Sequence, residues 1–192
     1  MFSGSHDKTT QGFTLIDILI AFSLILLLFS YGVPGVSTFI KNSRVTTLTN
    51  RLATDINYAR NEAVDRDAKV IICRSDDANT TSPTCGGSAN NWTTGWLIFV
   101  DRNDNTSFDG SSDILLRATR SAIGTISVKS NDAANAKLIY DAGGTIDTSG
   151  NTAAFAICDE RGEGYGNQLQ ISPAGRPRLI TPVPETCDNP ST

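Results

Sequence analysis

Histidine is almost absent from this chain. Among the 192 residues there is one histidine, His6, and it lies within the first twelve residues. Histidine is the commonest general base and metal ligand in proteins, so its scarcity disfavours hydrolases and histidine-based metal centres. The sequence also shows no nucleophile motif. We therefore predict that the protein is not an enzyme.

Cysteines are few and widely spaced. The chain has four, and none forms the close C-x-x-C pair that is typical of zinc sites. In an exported domain, four cysteines indicate two disulfides and hence an oxidising compartment. Three pairings are possible, and the favoured one joins Cys73 to Cys85 and Cys158 to Cys187. No metal and no other cofactor is expected.

Acidic and amide side chains are concentrated between Asp101 and Asp113, which raises calcium binding as an alternative. An EF-hand loop that begins at Asp101 would need glycine at its sixth place and glutamate at its twelfth. Thr106 and Ser112 occupy those places. Because Asp and Asn also favour tight turns, a solvated turn without metal is the expected structure.

Charged residues are missing from residues 13–29 except for Asp17, and Thr14 and Ser23 are the other polar residues there. A helix that continues through residue 33 would be about 30 Å long, which matches one hydrocarbon core. A carboxylate inside such a span costs roughly 2.5–3.5 kcal/mol. Asp17 is therefore expected to have a functional partner.

A second helical pattern follows Pro34. Apolar residues recur there at three- and four-residue spacing, which predicts an amphipathic helix that ends at about residue 65. The apolar stripe consists of Leu48, Leu52, Ile56, Ala59 and Ala63, and the residues expected to face outward are Arg44, Arg51, Asp55 and Arg60.

The remainder of the chain is typical of a loop-rich β domain. The chain has 16 glycines and many Ser, Thr, Asn and Asp residues. Strands are predicted at residues 69–73, 95–100, 114–118, 125–129, 136–140, 153–158, 167–171 and 178–180. No helical pattern separates them, so the predicted fold class is α+β. A long N-terminal helix, made of a membrane span and an amphipathic half, would pack on a C-terminal antiparallel β-sheet or sandwich domain.

The residues Gly12-Phe13-Thr14-Leu15-Ile16, followed by Asp17, resemble the prepilin signature of type IV pilins and type II secretion pseudopilins. The resemblance implies that a membrane peptidase cleaves between Gly12 and Phe13 and methylates Phe13. It also implies that Asp17, where the family usually has glutamate, meets the amino terminus of a neighbouring subunit during filament assembly.

The same resemblance implies a life cycle and a set of partners. The protein would be a single-pass component of the bacterial inner membrane with its C-terminal domain in the periplasm, and would later join a pilus on the cell surface. Its partners would be the prepilin peptidase, the inner membrane and other pilin subunits. The expected segments are a leader (1–12), a transmembrane or filament-core helix (13–34), an amphipathic helix half (35–66), a disulfide-containing β domain (67–180) and a proline-rich tail (181–192).

A further pattern resembles the GspH/FimT group of the pilin superfamily. It consists, in order, of Cys73, Cys85, Trp92, Gly95-Trp96, Phe99, Asp101, Asn103 and Leu115-Leu116-Arg117.

The segment Gly175-Arg176-Pro177-Arg178 is the strongest candidate binding site. Residues 172–175 resemble a turn, after which Arg176 and Arg178 would share one side of an extended segment. Pro177 lacks an N–H group, so the segment is expected at a sheet edge or in a free loop. Two guanidinium groups without an intervening acid suit successive phosphates.

This segment resembles the G-R-x-R motif that contacts DNA in FimT-type minor pilins of natural transformation, with Gly175, Arg176 and Arg178 at the matching places. The resemblance implies a minor type IV pilin that binds extracellular DNA for uptake. Because the net charge is −4, binding would be local and salt-sensitive. Since phosphate contacts carry no direct sequence information, it would also be independent of DNA sequence. The alternative is a structural minor pilin or type II secretion pseudopilin that initiates or caps a filament. Other cations that could extend the patch are Arg117, Arg120, Lys129 and Lys137.

Overall fold

The computed structural model describes residues 12–88, 90–121, 124–148, 150–181 and 186–190, and gives the backbone alone at residues 31–35. Residues 1–11 of the predicted leader and residues 182–185 and 191–192 of the predicted tail lie outside the described residues. The chain divides into two compact units, Met1–Ile40 and Lys41–Thr192.

The described chain contains one long helix and eight strands. The helix α1 is Leu15–Arg66. The strands are β1 Val70–Arg74, β2 Gly95–Val100, β3 Ile114–Arg120, β4 Ser127–Ser130, β5 Lys137–Tyr140, β6 Ala153–Cys158, β7 Asn167–Ile171 and β8 Pro177–Ile180. All eight predicted strands are present, with ends that shift by two residues at most. A single 3₁₀ turn, Asp132–Ala134, was not predicted, and the Asn131 side chain caps it.

The strands form two four-stranded sheets. The strand order is β3-β2-β1-β5 in the first sheet and β4-β6-β7-β8 in the second. Every neighbouring pair is antiparallel. The predicted α+β class, with a long N-terminal helix and an antiparallel β domain, is confirmed.

The apolar stripe of α1 supplies the helical side of the core in the second unit. Leu48, Leu52 and Ile56 are fully buried and belong to one cluster with residues from both sheets. Burial of each such side chain contributes roughly 1.5–3 kcal/mol relative to exposure. The predicted stripe is therefore confirmed, and it packs the second half of α1 on the sheets.

Asp55 corrects one prediction about this helix. It was expected to face outward, but it is buried, with 2% of its surface exposed. Its carboxylate accepts hydrogen bonds from Trp96 Nε1 and Thr119 Oγ1, each at 2.8 Å. It also pairs with Arg117, whose guanidinium lies 4.2 Å from the centre of the Tyr58 ring. A charge at the edge of the stripe is therefore buried because β2 and β3 supply its partners.

In the first unit, α1 begins with a hydrogen-bonded cap. The backbone N and Oγ1 of Thr14 donate to Asp17 Oδ2 at 2.9 and 2.8 Å, and the backbone N of Asp17 lies 3.3 Å from Thr14 Oγ1. This arrangement is a capping box with aspartate in place of the usual glutamate or glutamine. Within the described residues, no helix combines the length and the apolar character that a membrane crossing requires.

We predict that Asp55→Ala lowers the free energy of unfolding by about 3 kcal/mol, because it leaves a buried indole N–H and a buried hydroxyl without an acceptor. Urea denaturation of the full chain in detergent micelles measures the change. Asp65→Ala is the matched control, since Asp65 is exposed on the same helix. Equal stabilities of the two variants would contradict the prediction.

A second prediction concerns pH. Arg161 Nε and Nη2 donate to the buried Asp159 carboxylate at 3.0 and 2.6 Å, and these bonds lower the pKa of Asp159. The pair therefore contributes fully above the unfolded-state pKa of about 3.9, and its contribution is lost as pH falls through the folded-state pKa. Arg161→Gln should reduce the loss of stability between pH 6 and pH 3, as measured by urea denaturation. If the unchanged protein and Arg161→Gln show the same pH dependence of stability, the Arg161–Asp159 pair does not make this contribution.

Candidate nucleic-acid interface

The arginine motif begins at a tight turn. The backbone N of Gly175 donates to the carbonyl of Ser172 at 2.8 Å, so the predicted turn at residues 172–175 is present. Gly175 has φ +75°, a left-handed conformation that favours glycine. The turn is exposed at residues 172–174, whereas Gly175 itself is buried. The glycine therefore fixes the direction in which the chain enters the motif.

Arg176 and Arg178 are both exposed, one just before β8 and one within it. Among the described strands, β8 lies at the edge of its sheet and pairs with β7 alone, with Arg178 opposite Gln170 and Pro177 opposite Ile171. An edge position tolerates the missing N–H of Pro177. Among the described residues, neither arginine lies within ion-pair distance of a carboxylate. Both positive charges are thus exposed and unneutralised.

The buried side of the turn packs tightly. Tyr140 OH donates to the Gly175 carbonyl at 3.1 Å, and burial raises the pKa of Tyr140, so its hydroxyl stays protonated. A Cβ added to Gly175 would lie 2.2 Å from the Gly144 carbonyl oxygen and 2.8 Å from Tyr140 Cε1. Glycine is therefore required at this position for space as well as for its φ angle.

A second turn, at residues 141–145, lies directly against the first. Its Gly144 carbonyl accepts a hydrogen bond of 3.0 Å from Arg60 Nε on α1. Its acid, Asp141, accepts from Thr145 Oγ1 at 2.6 Å and from the Thr145 backbone N at 2.9 Å, and these bonds lower the pKa of Asp141. The local carboxylate is thus ionised and bonded within its own turn.

The other candidate cations lie elsewhere. Lys129 is on β4, at the edge of the second sheet opposite β8. Arg117 and Arg120 are on β3 in the first sheet, and Arg117 is the ion-pair partner described above. Lys137 Nζ donates to the Thr106 carbonyl at 2.6 Å and to its hydroxyl at 2.7 Å. None of the four adds an unpaired charge beside Gly175.

Two disulfides, Cys73–Cys85 and Cys158–Cys187, have the pairing favoured from the sequence. The second one joins the segment that follows β8 to the end of β6.

The acidic segment at residues 101–113 is held by bonds from side chains to backbone. Asp101 Oδ2 accepts from the Thr106 N at 3.0 Å, and the Asp113 carboxylate accepts from the N atoms of Arg102 and Asp109 at 3.0 and 2.8 Å. In the part of the chain that the structure describes, no group of three acidic, histidine or cysteine side chains is arranged to hold a metal. The carboxylates of Asp101 and Asp113 therefore bond to the backbone of their own segment and hold it in a turn.

The predicted processing and assembly residues belong to the first unit. Gly12 and Phe13 are exposed, and Asp17 caps α1 through Thr14. Their roles in peptidase cleavage and in filament assembly stay predictions.

The sequence did not identify the residues that pack against the buried side of Gly175, which are Arg60, Tyr140 and Gly144. Arg60 was expected to face outward as a solvated charge, yet it is half-buried. It precedes Gly144 by 84 residues, and Tyr140 precedes Gly175 by 35. The available signal was weak: the Gly143-Gly144 pair indicates a turn, and Arg60 directly follows a stripe residue, Ala59.

A long N-terminal helix packed on antiparallel sheets, with an exposed apolar N-terminal part, defines a pilin-like protein. The sequence profile of the family described as Type II transport protein GspH matches residues 48–175, which is more than half of the chain. The chain therefore belongs to the GspH family. The predicted resemblance to the GspH/FimT group is confirmed. Because the match ends at Gly175, Arg176 and Arg178 lie just beyond it.

The fold is also similar to that of solved minor pilins. A crystal structure of the type IV minor pilin FimU of Pseudomonas aeruginosa matches with a TM-score of 0.56 and 25% identity, over 78% of this chain and 98% of FimU. A second crystal form of FimU matches with a TM-score of 0.51 and 25% identity, over 74% and 98% of the two chains. No curated protein sequence matches this chain.

We predict that Gly175→Ala destabilises the β domain, because the added methyl group collides with the Gly144 carbonyl and the residue retains a left-handed φ. The expected loss is about 2 kcal/mol or more in the free energy of unfolding. Gly162→Ala is the control, since Gly162 also has a positive φ but has open space around its Cα. If Gly175→Ala lowers the free energy of unfolding no more than Gly162→Ala does, the close packing around Gly175 does not destabilise the variant and the prediction is wrong.

Proposed function

We propose that this protein is a minor type IV pilin that binds extracellular DNA for uptake during natural transformation. Arg176 and Arg178 would contact successive phosphates, and Gly175 would set their direction. The observation that carries the proposal is the pair of exposed arginines, without carboxylate partners among the described residues, on a turn that buried contacts hold in place.

The electrostatics support a local site. In the described part of the chain, cations at Lys41, Arg66, Lys69, Arg117 and Arg161 form ion pairs with acids. Arg176 and Arg178 stand apart from these pairs, so they retain their full charge toward a ligand. A guanidinium group can donate two parallel hydrogen bonds to one phosphate, which suits binding to the DNA backbone. Since phosphate contacts carry no direct sequence information, binding would be independent of DNA sequence.

The N-terminal part would attach the protein to a filament. We expect the prepilin peptidase to cleave between Gly12 and Phe13 and to methylate Phe13. The apolar segment at residues 13–29 would anchor the subunit in the inner membrane and would later pack against other pilin subunits. Its large exposed apolar side chains support this proposal, since Phe13 is 91% exposed and Leu15 is 76% exposed. Asp17 would then pair with the amino terminus of a neighbouring subunit.

A structural role without DNA binding is the second candidate. The match to the family described as a type II transport protein favours it, as does the exposed apolar part of α1. A subunit that initiates or caps a pilus or a type II secretion pseudopilus needs these features alone. In either role the protein would be a filament component rather than an enzyme.

DNA titration of the full chain in detergent micelles tests the first candidate. The double variant Arg176→Ala with Arg178→Ala should bind labelled duplex DNA at least tenfold more weakly at low salt. The slope of log K against log salt, measured between about 50 and 200 mM, should fall in magnitude by about 1.8, because two phosphate contacts are lost.

The control is Arg102→Ala with Arg120→Ala, which removes the same charge from two exposed arginines elsewhere. If both double variants lose affinity equally, the motif has no special role. Transformation assays then separate the two candidates. Cells that carry the motif variant should assemble pili normally and take up less DNA, whereas unchanged uptake would favour the structural role.

A further inference from the structure

Arg60 lies beside the motif although it is far away in sequence. It follows the buried Ala59 on α1, and its Nε donates to the Gly144 carbonyl at 3.0 Å. The same Nε lies 3.3 Å from the place that a Cβ on Gly175 would occupy. The guanidinium group of Arg60 is therefore in contact with the turn from which Arg176 emerges.

Among the described residues, no carboxylate lies within ion-pair distance of Arg60, so no acid there neutralises its charge. The acid of the neighbouring turn, Asp141, is bonded to Thr145 instead. An arginine has five N–H donors in a planar fork, and the hydrogen bond to Gly144 uses one of them. The terminal amino groups therefore remain available to a ligand.

Arg60 is also held in place. Its Cγ and Nε lie 3.3 and 3.2 Å from the position of a Cβ on Gly144, so the stem packs against that turn. Long side chains lose conformational entropy when they bind, and a side chain that is already fixed loses less. A fixed cation against the turn that precedes two exposed arginines is suited to a polyanion that passes over the turn.

We infer that Arg60 is a third phosphate-binding residue of the DNA site, and that it contacts the backbone together with Arg176 and Arg178. This inference rests on the proposed function. It extends the site from the β8 edge to α1, so that DNA contacts the long helix as well as the sheet. The ligand is a chain of phosphodiesters, because three guanidinium groups on two elements match several linked phosphates better than one free phosphate.

A purely structural role is the competing interpretation, in which Arg60 acts only through its hydrogen bond to Gly144. Two variants separate these roles. Arg60→Gln removes the charge and keeps an amide donor that can serve the Gly144 carbonyl. Arg60→Lys keeps the charge and replaces the planar fork. A phosphate contact requires the charge, whereas a structural role requires the hydrogen bond.

The test is DNA titration of the full chain in detergent micelles, with the salt dependence measured for each variant. Arg60→Gln should reduce the magnitude of the log–log salt slope by about 0.9, and Arg60→Lys should leave it near the value of the unchanged protein. Arg51→Gln is the matched control. Arg51 is exposed and lies two and a half turns earlier, on the opposite side of α1, so its variant should leave the slope unchanged.

The outcomes distinguish this inference from the proposed function. If Arg60→Gln keeps the full slope while the Arg176 and Arg178 double variant loses it, the DNA site stands without Arg60. If Arg60→Gln and Arg60→Lys lose slope equally and both unfold at lower urea concentration, the role of Arg60 is structural and the inference fails. If the unchanged protein does not bind DNA, both proposals fail. Both also fail if the Arg176 and Arg178 double variant binds DNA with the same affinity as the unchanged protein.

Discussion

Burial of the apolar stripe of α1 is the interaction on which the β domain depends. Leu48, Leu52 and Ile56 contribute one wall of a core that also contains residues from both sheets, including Tyr140. The stripe thereby sets where α1 lies against the strands within the second unit. Asp55 adds specificity to this packing, because its buried carboxylate has partners on β2 and β3. A shift of the helix along the sheets would leave that charge without them.

Local contacts determine which charges are available at the surface. The chain is acidic overall, with a net charge of −4, so attraction of a polyanion cannot come from the protein as a whole. Any such attraction would have to come from cations that have no carboxylate within ion-pair distance. Among the described residues, Arg176, Arg178 and Arg60 meet this condition, since none of them lies within ion-pair distance of a carboxylate. The acid of the turn beside Arg60 bonds to Thr145 instead. Arg117, in contrast, forms an ion pair with Asp55.

The fold could be predicted from periodicity, and the site only in part. Three- and four-residue spacing located the stripe of α1, and short apolar segments between turn residues located all eight strands. The turn before Arg176 could be predicted from its proline and glycine. Asp55 could not, since the groups that bury it come from strands more than 40 residues away. Arg60 was missed for the same reason: its contact with Gly144 is created by the tertiary packing and leaves no local pattern.

The confinement of Gly175 has a consequence for how this fold can diversify. Gly144 and Tyr140 leave no room for a side chain at Gly175, so contacts with the interior determine the backbone conformation of this turn. Arg176 and Arg178, which follow the turn, have exposed side chains that the interior does not confine. Substitutions at exposed positions usually change stability by less than about 0.5 kcal/mol. The scaffold and its surface chemistry can therefore evolve separately. A subunit with this framework can acquire or lose affinity for a ligand through two side chains, without refolding.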